Sequence, residues 1–165
     1  MLRLRPNSGS LEPDVWMAST DLHCDPDEVL GALTDPAAIA RWAPVSFDVH
    51  GLAGSCLRAG SRERVSGSIA GVTATFEVEV MKADRHSLEL VAHGPVSLDV
   101  AYTFSEHGGR VSVDARVAIR PPRGLRAQVL RAAVGALLNA GALRTALRRL
   151  ERGLSCPVDA DLLAA

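Results

Sequence analysis

The residues that could do chemistry in this chain are few, and they sit one at a time among apolar neighbours. From Cys56 to Ile69 the alternate positions Leu57, Ala59, Ser61, Glu63, Val65, Gly67 and Ile69 share one strand face. If that face is buried, the carboxyl of Glu63 is desolvated, its pKa rises unless it is paired, and it becomes a candidate acid or base. A bulge that shifts the phase would instead leave it solvated. Tyr102, the only tyrosine, shares a face with Val100 and Phe104, where a buried phenol needs a hydrogen-bond partner. It reads either as a core tyrosine or as a ligand contact, and Thr20 on the first strand reads in the same two ways. Asn139 stands alone in AAVGALLNAGAL; its amide either bonds a ligand or water inside the protein or reaches the surface. In a catalytic reading Glu63 is the base and Tyr102 the proton donor or oxyanion partner.

Other chemistries are disfavoured. His23, His50 and His93 fall on outward strand phases, and His86 and His107 fall in turns. None has H-x-x-x-H spacing or belongs to a nucleophile motif, so neither a metal nor a triad is expected. Cys24, Cys56 and Cys156 are widely spaced and contain no C-x-x-C pair. That pattern fits a reducing, cytoplasmic setting better than a disulfide framework. No G-x-G-x-x-G or Walker pattern occurs, and no cofactor is expected. Six aromatics and a formal charge of −1 in 165 residues give no stacking platform and no global attraction to nucleic acid. No apolar run approaches the ~20 residues of a membrane span. The charge is uneven, however. Eight arginines and one acid lie between Arg120 and Arg152, while Glu12 to Asp35 is acidic. The basic stretch reads as a solvated face or as a rim that guides an anionic headgroup.

The elements that must position these groups follow from periodicity and punctuation. Val15 to His23 alternates as a first strand. Asp25-Pro26-Asp27-Glu28 and Asp35-Pro36 open two short helices, the second ending at Pro44. Six strands follow: about Val45 to Val49, Cys56 to Ile69, Val72 to Lys82, one through Leu88 to Ala92, Leu98 to Phe104, and Val111 to Ile119. Gly51 to Gly54, Gly71, Asp84 to His86, Gly94-Pro95 and His107-Gly108-Gly109 supply the turns. Across strands, Arg64 is placed to pair with Glu77 or Glu79. The proline-free segment Gly124 to Leu154 predicts one long helix. Its stripe is Leu125, Val129, Ala133, Ala136, Ala140, Leu143, Leu147, Leu150 and Leu154. Leucines at the ends and alanines in the middle imply a cavity beneath the helix, and hence a small apolar ligand. Leu130, Val134, Leu137 and Leu138 lie opposite, as a portal flap, a loop contact or a dimer contact. The result is an α+β class: an antiparallel sheet with one face covered by the terminal helix. It forms a single domain over residues 14–154, with loose segments at 1–13 and 155–165.

The segment LHCDPDEVLGALTDPAAIARWAP, Leu22 to Pro44, resembles the opening of the helix-grip fold of the START and birch-pollen-allergen (SRPBCC) superfamily. Pro26, Val29, Leu33, Asp35, Pro36 and Trp42 sit at the matching positions. Element order extends the resemblance over residues 14–154. It is nearest in look to bacterial polyketide cyclase/dehydrase and lipid-transport-type members. The resemblance implies a curved sheet of about seven strands wrapped round a long C-terminal helix, with an apolar ligand held between them.

These readings lead to a cytoplasmic protein that binds a lipid or polyketide-like molecule, with Thr20, Phe47, Glu63, Phe76, Leu90, Tyr102, Ala136, Asn139, Ala140 and Leu143 as ligand contacts. The alternatives are a cyclase, aromatase or dehydratase using Glu63 and Tyr102 in the same cavity, and a module that dimerises through Leu130, Leu137 and Leu138.

Overall fold

Four short turns leave consecutive strands no choice but to pair with their neighbours, since only a long crossover can return a chain parallel to itself. In the computed structural model, which describes residues 13–50, 56–69, 71–121 and 124–154, the strands run as follows. β1 is Asp14–Leu22, β2 Phe47–His50, β3 Arg62–Ile69, β4 Val72–Ala83, β5 Ser87–His93, β6 Leu98–His107 and β7 Arg110–Ile119. They form one antiparallel sheet in the order β1-β7-β6-β5-β4-β3-β2. β1 therefore lies at one edge beside β7, paired from Asp14↔Ile119 to Leu22↔Val111, and β2 lies at the other. The expected turn at Gly51–Gly54 and the two terminal segments lie outside the described residues.

The chain crosses from the first edge to the last through α1 (Pro26–Thr34) and α2 (Pro36–Trp42). Both start as their sequence dictates. Asp25 accepts from the Asp27 N–H at 2.9 Å while Glu28 reaches back to the Asp25 N–H at 2.9 Å, a capping box. Asp35 caps α2 through the Ala37 N–H at 2.9 Å. The Trp42 indole donates to the Ala32 carbonyl at 2.9 Å and ties the two helices together.

The long terminal helix is two helices. α3 spans Leu125–Asn139 and α4 spans Ala142–Leu154. The break is a glycine C-cap: Gly141 has φ 91°, and its N–H donates to the Leu138 carbonyl at 3.0 Å. The absence of proline was not enough to keep the helix continuous. The break also resets the phase. α4 buries the expected Leu143, Leu147 and Leu150, but α3 buries Ala127, Leu130 and Val134. Leu125 is 82% and Val129 61% exposed, so the stripe expected to face the sheet faces outward there. Leu130, expected on a dimer or portal face, is 2% exposed and packs in the cluster of Ala74, Val96 and Ile119. Leu138 packs against the core as well, and Leu137 is half-buried.

Strand β3 is shorter than expected. Leu57, Ala59 and Ser61 precede it, around a turn at Ala59 and Gly60, where Gly60 takes φ 85° and donates to the Val80 carbonyl at 2.7 Å. The cross-strand ion pair joins Glu79 to Arg62, at 3.0 Å, rather than to Arg64. The helix layer and the inner sheet face enclose a core of Leu22, Val29, Leu33, Val80, Leu88, Tyr102, Phe104, Val111 and Val113 with the α4 leucines.

Candidate ligand-binding site

Directly opposed residues of a ladder share a face, so register alone traces the inner surface. One file runs Glu63, Val78, Ala92, Leu98, Ile119. A second runs Val49, Val65, Phe76, and Phe47 enters beside it opposite Gly67. A third runs Val80, Leu90, Val100, Val117, Trp16, and a fourth Ala83, Leu88, Tyr102, Ala115, Ala18. The centre of this surface is sealed, with Leu22, Leu88, Val111 and Val113 each 2% exposed or less, and on the β1 edge Trp16, Ala18 and Thr20 are half-buried. On the other wing Phe47, Val49, Val65, Phe76 and Val78 are all half-buried, an apolar row that the helices cover only in part. The Phe76 ring lies close against Gly94, where an added Cβ would fall 2.6 Å from its Cδ1.

Glu63 sits at the end of that wing. It is half-buried, on the face shared with Val78 and Ala92, and its carboxylate has no hydrogen bond or ion pair among the described residues. Tyr102 is 7% exposed and part of the sealed core. Burial pushes its hydroxyl pKa up to about 12, which keeps the phenol protonated as a donor. Among the described residues that hydroxyl has no partner. Three strand spacings and four residues separate the two groups in register, roughly 20 Å along a flat sheet. They share a face but not a hydrogen bond.

Thr20 faces inward, half-buried, opposite Val113. Leu90 and Leu143 belong to the core or its margin. Asn139 is exposed, and its Oδ1 accepts the Trp16 indole N–H at 2.8 Å, a link from the edge strand to the end of α3. A second link lies nearby, an ion pair of Arg131 with Asp14. Ala140 is exposed at the helix break. Ala136, with Ala133 and Leu137, lines an opening of about 450 Å³ between α3 and the segment Pro44, Val45, Ser46 and Ser68. The opening lies at the flank of α3, at the rim of the sheet beside β2 and β3, and Ala136 itself is exposed. The residues that the sequence did not mark are Val49, Val65 and Val78. Their signal was available in the strand alternation, but only register shows which of them the helices leave uncovered.

The five histidines are exposed, and no group of three potential metal ligands occurs among the described residues. No helix there is long and apolar enough to cross a membrane.

A sheet wrapped on C-terminal helices, with an incompletely covered apolar inner wing, defines a helix-grip protein. The chain belongs to the family described as polyketide cyclase/dehydrase and lipid transport, which it matches over residues 17–154. Several solved structures share the fold. A hypothetical protein of Helicobacter pylori is 16% identical, with a TM-score of 0.64, over 93% of this chain and 97% of its own. A protein of Chromobacterium violaceum is 14% identical, with a TM-score of 0.62, over 85% of this chain and 96% of its own. DynU16, a protein of the dynemicin biosynthetic locus, is 21% identical with a TM-score of 0.56; 87% of this chain aligns with 48% of that one. No curated protein matches the sequence.

Proposed function

We propose that the protein binds a hydrophobic small molecule, lipid or polyketide-like, between α3 and the inner wing formed by β2, β3 and the first half of β4. The observation that carries this reading is the half-buried row Phe47, Val49, Val65, Phe76 and Val78 beside a sealed core. Covering that row with a ligand removes apolar surface from water, worth roughly 25 cal/mol per Å² before ordering costs. Glu63 at the end of the row is the polar group that would orient the ligand. The opening lined by Ala133, Ala136 and Leu137 is the path of entry.

A cyclase, aromatase or dehydratase would use the same surface with Glu63 as base. It ranks second because Tyr102 lies too far from Glu63 to complete an acid/base pair. The dimer-module reading loses Leu130, which the chain buries itself.

Native mass spectrometry of freshly purified protein, compared with its denatured mass, tests the binding reading. A bound mass lost on denaturation, and reduced uptake of an apolar fluorescent probe by Val65→Lys, are the expected results. No added mass together with no probe uptake by the unaltered protein would overturn it.

A further inference from the structure

The inner wing is not the only apolar concavity. On the outside of the helix layer α1, α2 and α4 enclose a groove of about 480 Å³, a volume within the range of small-molecule sites. Its apolar wall is Ala32, Ala38, Trp42, Leu150 and Leu154. Gly31 and Gly153 also line it, and a Cβ built on either meets nothing within 4 Å. Each therefore leaves open a place that a larger side chain would occupy.

The polar groups are unevenly used. Arg41 and Arg149 line both this groove and an adjoining opening of about 390 Å³ bounded by Pro44, Val45, Ser46 and Phe47, so they form the ridge between the two. Arg149 donates one N–H to the Ala43 carbonyl at 3.1 Å, which fixes the guanidinium without neutralising it. Arg41 makes no ion pair among the described residues. The two acids of the groove keep their charge but are held at the helix starts, where Glu28 accepts the Asp25 N–H and Asp35 the Ala37 N–H, and neither pairs with Arg41 or Arg149. No carboxylate lines the far side of the arginine ridge.

We propose that this groove is a second binding site, for an amphiphile with an apolar chain and an anionic head. The chain lies along Ala32, Trp42 and Leu154, above the buried Leu150, and the head is held by Arg41 and Arg149. Guanidinium groups suit carboxylate or phosphate oxygens because their N–H donors are planar and paired. The site is separate from the inner wing and does not depend on that reading.

The test uses dansyl-undecanoic acid and its methyl ester, with fluorescence titration for affinity and methyl NMR of Leu150, Leu154, Val49 and Val65 for location. The acid is expected to bind more tightly than the ester and to shift the Leu150 and Leu154 methyls. Arg41→Ala/Arg149→Ala should weaken the acid about tenfold or more and leave the ester unchanged. Gly153→Leu, or Gly31→Leu should the first variant misfold, should block both probes at the leucines. Equal affinities for acid and ester, insensitive to arginine removal, would overturn the proposal. So would shifts confined to Val49 and Val65; those would support the inner-wing reading and sink this one alone. Shifts at Leu150 and Leu154 without any at Val49 and Val65 would do the reverse.

Discussion

The phase of α3 offers a test that needs only two neighbouring residues. Leu130 is 2% exposed, packed in a cluster with Ala74, Val96, Ile119 and Val134, whereas Val129, one position earlier, is 61% exposed. Truncating Leu130 to alanine removes buried methyl groups and leaves a cavity that neighbours on both the sheet and the helix hold open. Such substitutions cost about 2–5 kcal/mol. Val129→Ala removes little burial and replaces a β-branched residue with the best helix former, so its cost should stay within about 0.5 kcal/mol, any gain coming from helix propensity alone. Urea unfolding followed by circular dichroism reads both variants, with the slope of stability against urea checked for constancy. A Leu130→Ala cost near zero, beside a cost of 2 kcal/mol or more for Val129→Ala, would refute the observed phase. It would restore a single helix with Leu125, Val129 and Ala133 against the sheet.

Three further outcomes follow from the same structure. Gly141→Ala puts a Cβ on a residue with φ 91°; a loss of about 1–2 kcal/mol is expected in the same assay, and no loss would contradict the broken helix. The Trp16 to Asn139 hydrogen bond of 2.8 Å should appear as a coupling of about 1 kcal/mol in a double-mutant cycle of Trp16→Phe and Asn139→Ala; additive effects would deny it. Tyr102 is the only tyrosine, so ultraviolet difference spectroscopy reports it alone. Its hydroxyl pKa is raised from 10.0 to about 12 by burial, so it contributes stability fully below pH 10 and loses that contribution as pH rises through about 12. The loss amounts to roughly 3 kcal/mol. Ionisation near pH 10 in a still-folded protein would contradict the burial.

Much of this was legible in the residues themselves. The alternation Val111, Val113, Ala115, Val117, Ile119 can satisfy only a strand with one covered face, and the two Asp-Pro starts specify both short helices through backbone N–H groups. Glu63 likewise kept its phase, because β3 carries no bulge between Arg62 and Ile69. What failed was the reading across Asn139-Ala140-Gly141. A glycine two residues past an asparagine is a C-cap signal, yet the apolar spacing on either side ran through it as though the helix continued. Once φ turns positive the stripe loses its phase, and every inner or outer assignment in α3 changes with it. The site was less legible for a different reason. Whether Val65 or Val113 is left uncovered depends on how far a helix reaches over the sheet, which periodicity within one strand does not encode.

The sheet order also has a kinetic side. β1 and β2 are neighbours along the chain but lie at opposite edges, and β1 is held by β7, whose residues come about a hundred positions later. The strands from β3 to β7 can form hairpin by hairpin as the chain is made. The first strand cannot: until Arg110–Ile119 has emerged from the ribosome, Asp14–Leu22 has nothing to pair with. Its apolar residues, among them Trp16 and Leu22, stay without their strand partner while β2 to β6 are made, an interval in which they are open to chaperones.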